Sequence, residues 1–169
     1  MRVALVTGAT GFIGGHVARE LLRSGWHVRA LVRPESLERR LWPEGCEAVP
    51  GDLRDAAAVR RAAEGVEAIF NVAAEYSLAR RRAAEVMRTN VSGAANVVAA
   101  ARATGARLVH TSSVATIGIP PDGTPGDEDT PLARGQTVGA YKRSKLASER
   151  LVLAAASRGV WAVVVNPSA

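Results

Sequence analysis

The sequence predicts an α/β fold built on a doubly wound parallel sheet, and three observations carry the prediction. Apolar runs of strand length alternate with helical patterns along the chain. The first run feeds straight into the glycine-rich segment "TGATGFIG", which opens a helix. The remaining polar motifs fall where strands end, and ligands of such sheets bind beyond the carboxyl ends of the strands.

The elements follow in order. "RVALVT" (2–7) is an apolar run ended by glycine, and "GFIGGHVARELLRSG" (11–25) spaces Ile13, Val17, Leu21 and Leu22 on one helical face. "HVRALVR" (27–33) alternates like a strand, and "CEAVPGDL" (46–53) holds a short one. "DAAAVRRAAEG" (55–65) reads as a helix with Asp55 as N-cap, because its carboxylate can accept from the first free amides. "EAIFNVAA" (67–74) is a fourth strand, followed by an alanine-rich helical stretch from about Arg80 to Thr104. "RLVHTSS" (107–113) is a fifth strand and "VWAVVVNPS" (160–168) a sixth, with a helix from about Ala140 to Ser157 before it. The 22-residue segment 118–139, rich in Gly, Pro and Asp, is the one irregular stretch long enough to suggest function. Parallel strands need a crossover, and a helix supplies each one.

A chain of 169 residues suits one domain with a substantial core. The hydrophobic content of 47% and charged content of 22% are those of an ordinary globular protein. No apolar run approaches the roughly 20 residues that span a bilayer, so no membrane span is expected. "MRVALVTG" has neither the long apolar region nor the cleavage site of a signal peptide, so the expected location is the cytoplasm. The single cysteine, Cys46, excludes an intramolecular disulfide and a cysteine zinc cluster, and no metal site is expected. The net charge of +6 raises the question of nucleic acid, but the arginines are spread along the chain without interleaved aromatics. Only "ARRRA" (79–83) is dense, and it reads as a solvated face or a patch for an anionic partner. No nucleic-acid partner is expected.

Gly8, Gly11 and Gly14 stand between the first strand and the first helix, where the lack of Cβ permits a tight turn and close approach of a pyrophosphate. Thr10, Phe12 and Ile13 share the segment and count with them as cofactor-binding residues. The helix N-terminus behind them favours an anion. The spacing is GxxGxxG. Strand two ends on Arg33, which can pair with a 2′-phosphate, where an acidic residue would hold the ribose of NAD. NADP is therefore the expected cofactor, with NAD through Glu35 as the alternative. Asp52 and Leu53, after strand three, could flank the adenine, or Asp52 could serve only its turn.

Of 22 basic residues only Lys142 and Lys145 are lysine, both within "YKRSK". Tyr141 and Lys145 are four apart at the start of a helix and share one face, whereas Lys142 lies about 100° round it. An ammonium beside a phenol favours loss of its proton, which suits the tyrosine to acid-base work. A slim ammonium also reaches ribose hydroxyls better than a guanidinium does. Ser112 and Ser113, at the end of strand five, join this group.

"TGATGFIG", "GDL", "NVAA", "TSSVATIG", "YKRSK" and "NPS", in this order, resemble the extended short-chain dehydrogenase/reductase superfamily, whose fold is the Rossmann fold. "LVR" and "TSSVATIGIPPDG" are most similar to its dihydroflavonol reductase-like group and to hopanoid-associated sugar epimerases. The resemblance implies Ser113 as the catalytic serine on the substrate oxygen, Tyr141 as general acid/base, and Lys145 on the nicotinamide ribose. It further implies that Ala73 and Ala74 line the cofactor, that Pro167 and Ser168 lie beside the nicotinamide, and that Asn90 supports the site. Ser112 and Thr111 are expected to support the strand end, with Ser112 also near the cofactor.

The implied activity is hydride exchange between nicotinamide and a carbonyl or hydroxyl carbon of a small substrate, a carbonyl compound or a nucleotide sugar. A reductase transfers once; an epimerase returns hydride to the other face. The alternative is a dinucleotide-binding module or redox sensor without turnover. Family members continue for about as many residues again, so the chain is expected to be the cofactor-binding part of a longer enzyme, lacking the C-terminal substrate domain. An unpaired apolar last strand and a homodimer built on the helices after strands four and five are also expected.

Overall fold

Six parallel strands in the order β3-β2-β1-β4-β5-β6 form the centre of the computed structural model, which describes residues 1–133 and 135–168. The strands are β1 (Val3–Thr7), β2 (His27–Val32), β3 (Glu47–Pro50), β4 (Ala68–Asn71), β5 (Arg107–Thr111) and β6 (Ala162–Val165). The helices are α1 (Phe12–Arg23), α2 (Pro34–Leu37), α3 (Ala56–Ala62), α4 (Ala83–Met87), α5 (Gly93–Thr104) and α6 (Ala140–Ala156). The chain winds outward in one direction from β1 to β3 and in the other from β4 to β6, which puts the topological switch between β1 and β4. This is the doubly wound Rossmann architecture that the alternation predicts.

Alternate side chains of each central strand feed two cores. Leu5, Ile69 and Leu108 face α3, α5 and α6, whereas Ala4, Val6, Val28 and Ala30 pack with Ala18 and Leu21 of α1. Burial on both faces explains why these strands read as continuous apolar runs. Asp55 does cap α3, accepting from the amides of Ala57 and Ala58 at 2.9 and 3.1 Å.

Three local expectations change. Ile13 is exposed and turned to the cleft described below, because Gly14, Gly15, Ala18 and Leu21 form the inward stripe of α1. The stretch 80–104 is not one α-helix: a short 3₁₀ turn (Arg80–Arg82) leads into α4, and a π-helical turn (Arg88–Ser92) separates α4 from α5. The bulge carries Asn90, whose amide accepts from Glu75 N–H and donates to the Glu75 carbonyl and to Ser144 Oγ, tying the loop after β4 to α6. The strand ends are also shorter than the apolar runs, because Val72–Ala74 and Ser112–Ser113 leave the sheet to line or border the site. β6 is an edge strand, with Val163 and Val165 exposed. Among the described residues no helix is long and apolar enough to cross a membrane, and no group of three or more His, Cys, Asp or Glu could hold a metal ion.

Candidate active site

The carboxyl ends of the strands surround a cleft of about 420 Å³. Its floor is the turn between β1 and α1, with Gly8, Thr10, Gly11, Phe12, Ile13 and Gly14 in its wall. Gly8 takes φ +74°, and a Cβ there would lie 2.8 Å from the Ala73 backbone; a Cβ on Gly14 would lie 2.1 Å from the Gly8 carbonyl oxygen. The turn is thus as closely folded as two backbones permit. Gly11, the N-cap of α1, offers no side chain to the first-turn amides, and that turn carries no acidic residue. Free amides with no competing carboxylate suit a diphosphate, so the residues present fit a dinucleotide.

One side of the cleft is formed by Leu31 of β2, by Arg33 just past it, and by Gly51, Asp52, Leu53 and Arg54 after β3. Asp52 is bound to Arg54 by two side-chain contacts of 2.6 and 2.9 Å and accepts from the Arg54 amide at 2.7 Å. Hydrogen bonds from Arg54 hold its carboxyl below the usual range, against a smaller opposing effect of burial. It therefore serves its turn and faces the cleft at once. Glu35 lies 3.7 Å from Arg33 and is not in the cleft wall. The other side takes Ala73, Ala74 and Glu75 after β4, Thr111 at the end of β5 and Ser112 just past it, and Tyr141 and Lys145 of α6. The tyrosine and lysine do reach one cleft.

A row of polar side chains crosses the sheet beneath this wall. Thr7, Asn71 and His110 are register partners on β1, β4 and β5. Thr7 Oγ1 accepts from the amides of Val72 and Ala73, both at 3.1 Å, so its own proton goes to Asn71 Oδ1 at 2.8 Å. Asn71 Nδ2 can then only donate, and His110 Nδ1 at 2.9 Å accepts, which leaves the neutral ring's proton on Nε2. That Nε2 finds no partner among the described residues. The row sets the strand end from which Ala73 and Ala74 enter the cleft.

Lys145 is only 3% exposed, and its Nζ donates to the Thr111 carbonyl at 2.6 Å. Burial lowers its pKa to about 8, opposed by the charge of Glu149. His110 is lowered to about 3, first by burial and then by the Lys145 charge. Both groups bind fewer protons folded than unfolded. For His110 the stability present above pH 6.5 is lost as pH falls toward 3; for Lys145, stability rises with pH between about 8 and 10.5. Urea unfolding from pH 7 to 4 is expected to show a His110-dependent loss of up to about 1.4 kcal/mol per pH unit, and His110→Asn is expected to flatten it.

Tyr141 meets Tyr76 edge-on, with ring centroids 4.8 Å apart and planes at 77°. Ser113, Pro167 and Ser168 do not line the cleft. Ser113 Oγ accepts from the Ala115 amide at 3.1 Å, and the Pro167 carbonyl accepts from Val114 N–H at 3.1 Å, so both segments border the site at the end of β5. Arg54, Glu75, Tyr76 and Glu149 were missed by sequence reading. For Glu149 the signal was present, since it is four residues past Lys145 on the same helix. Within "ARRRA", Arg82 pairs with Glu75 at 2.8 Å and Glu85 at 3.1 Å. Cys46 is half-buried, and burial pushes its thiol up, against the opposing charge of Arg19.

The family whose sequence model matches the chain, over residues 4–169, is described as the NAD dependent epimerase/dehydratase family. The chain belongs to it. The chain is 42% identical over 164 residues to a putative dihydroflavonol 4-reductase of Synechocystis sp., covering 96% of the chain and 48% of that protein. It is similar to a short-chain dehydrogenase/reductase superfamily protein of Agrobacterium tumefaciens with bound NAD (TM-score 0.77, 30% identity, 98% of this chain and 48% of that one). It is also similar to the UDP-glucose 4-epimerase of Thermus thermophilus in complex with NAD (TM-score 0.80, 30% identity, 98% and 54%). The family chain spans about half the length of the curated relatives it matches.

Proposed function

We propose that this chain is the cofactor-binding half of an NADP-linked oxidoreductase or sugar epimerase of the extended short-chain dehydrogenase type. The observation that carries the reading is that one cleft gathers the glycine cradle, Arg33 and the Tyr141–Lys145 pair. Bound nicotinamide dinucleotide supplies or takes up the hydride. The chain's own residues bind, orient and move the proton. The cradle amides take the diphosphate, and Ala73 and Ala74 leave room beside the dinucleotide. Pro167 and Ser168 are assigned to the nicotinamide end, next to the Ser113 turn.

Tyr141 gives a proton to the substrate oxygen on reduction and takes one on oxidation. Lys145 is fixed on the Thr111 carbonyl by one N–H and keeps two for ribose hydroxyls. The Ser113 hydroxyl accepts from Ala115, which leaves its proton to donate to the substrate oxygen. A carbonyl compound suits a single transfer and a nucleotide sugar suits epimerisation; both need these same three groups. A homodimer packed through α4, α5 and α6 belongs to the same proposal.

Arg33 supports NADP over NAD. It stands in the cleft wall at the end of β2, where the nearby carboxylates are already engaged, Asp52 by Arg54 and Glu35 by Arg33 itself. NADPH is expected to bind at least about 10-fold tighter than NADH, since a charge-assisted phosphate contact contributes about 1.5–3 kcal/mol. Arg33→Ala is expected to remove most of that preference while leaving NADH affinity within about 3-fold. Fluorescence titration of both nucleotides measures it. Preference for NADH in the wild type would refute the NADP assignment.

A further inference from the structure

Glu149 lies on α6 one turn beyond Lys145, outside the cleft wall, yet its Oε2 is where donors from three elements converge. Ser112 Oγ at the end of β5 donates to it. Thr116 Oγ1, in the turn Val114–Thr116, lies 2.7 Å away, and Asn166 Nδ2, just past β6, lies 3.0 Å away. The same cluster holds the backbone of Ser113, whose carbonyl is 3.2 Å from Asn166 Nδ2; it is also 2.7 Å from Thr116 Oγ1, but that hydroxyl has one proton, which the carboxylate takes as the stronger acceptor. Converging donors need a partner that only accepts, which is what a carboxylate is. Charge-assisted bonds of this kind are about twice as strong as neutral ones.

We propose that Glu149 is a positioning residue of this site: its carboxylate clamps the end of β5 and the Ser113 turn against α6, and it is the counter-charge of the buried Lys145 ammonium. The inference rests on the reading of Lys145 and Ser113 given above. Two titratable groups bear on Lys145: His110 on β5, kept neutral by burial, and Glu149 on α6 itself; Tyr141, on the same helix, shares the cleft wall with it. Lys145 Nζ is bonded to the Thr111 carbonyl and the Glu149 carboxylate to Ser112 Oγ, so adjacent residues of one strand end hold both groups; burial works against the ammonium, and the Glu149 charge works for it. A lysine that lost its proton at working pH would keep its place but lose the charge on which its role depends. The clamp and the charge are thus two effects of one carboxylate.

The chain's two lysines make the test direct. Protein labelled with ¹³C at lysine Cε gives two signals, which Lys142→Arg assigns, and their pH titration reads Lys145 alone. The wild-type midpoint is expected near 8. Glu149→Gln keeps the size and removes the charge, and is expected to lower the midpoint by about one unit. Glu149→Asp withdraws the charge by one methylene and is expected to fall between, so it gives the answer should the Gln variant fail to fold. A midpoint equal to the wild type's in either variant overturns the counter-charge role. Amide exchange at Val114 and Thr116 is expected to speed up at least about 10-fold in the Gln variant; unchanged exchange overturns the clamp. NADPH titrated into the wild type is a separate question, since failure to bind would remove the cofactor reading and leave the Lys145 midpoint standing as the test of Glu149.

Discussion

Tyr141→Phe is expected to lower turnover of the enzyme that carries this chain by about 10²–10⁴-fold, the usual contribution of a positioned acid-base group, with NADPH affinity within a few-fold of wild type. The substitution removes one oxygen. The ring remains to meet Tyr76 edge-on at 4.8 Å, and the backbone carbonyl of residue 141 remains to accept from Ser144 Oγ at 2.7 Å, so the wall of the cleft keeps its shape. What is lost is the hydroxyl proposed to exchange a proton with the substrate oxygen. A mutation confined to the chemical step lowers kcat and kcat/KM together. NADPH oxidation at saturating carbonyl substrate, or interconversion of nucleotide sugars, measures it. A variant with undiminished kcat would remove Tyr141 from the proton transfer.

The second large effect is expected at Gly14→Ala. In an ordinary helix this change stabilises by up to about 1 kcal/mol, because alanine loses less backbone entropy. Here the added Cβ would stand 2.1 Å from the Gly8 carbonyl oxygen and 2.5 Å from its carbon, and neither is the free end of a side chain. The turn must open. Gly8 cannot retreat easily, since its own Cβ position is 2.8 Å from the Ala73 backbone and its φ is +74°. Overpacking of this kind costs about 1–3 kcal/mol or more, which outweighs the helix gain. Dinucleotide affinity is expected to fall at least about 100-fold as the first-turn amides shift, equivalent to about 2.7 kcal/mol. Gly25→Ala is the control, with φ +77° and nothing within 4 Å, and is expected to show only the cost of its backbone conformation, about 1 kcal/mol. Urea midpoints and NADPH titrations on the two variants separate the effects.

The strands, the glycine turn and the pairing of Tyr141 with Lys145 were legible in the sequence because each has a local signal: short apolar runs for strands buried on both faces, glycines between the first run and a helix, the 3.6 period that puts positions 141 and 145 on one face, and an N-cap aspartate such as Asp55. The Thr7–Asn71–His110 row was not, since it exists only when β1, β4 and β5 are placed side by side in register. The π turn at Arg88–Ser92 was hidden for a similar reason. Nothing local in "RTNVS" marks a π turn, and it is Asn90, bonded to Glu75 and Ser144 from two other elements, that sits at the bulge. Ile13 carried two expectations, a place on the apolar face of α1 and a place among the cofactor-binding residues; it lines the cleft and is off the inward face, because the buried stripe of the helix starts with Gly14. Ser112 and Ser113 were both singled out, but only the fold shows that Ser112 is tied to Glu149 while the Ser113 hydroxyl still has its proton to give.

In the proposed binding mode the cleft takes a nicotinamide dinucleotide, diphosphate on the glycine turn and nicotinamide toward Tyr141. Amide NMR of the ¹⁵N-labelled chain during NADPH addition tests it most directly. The account predicts saturable shifts at Gly8, Gly11 and Gly14 together with Ala73, Ala74 and Lys145, persisting at moderate salt. Absence of binding, or shifts confined to the arginines of 79–83 and abolished by salt, would contradict it.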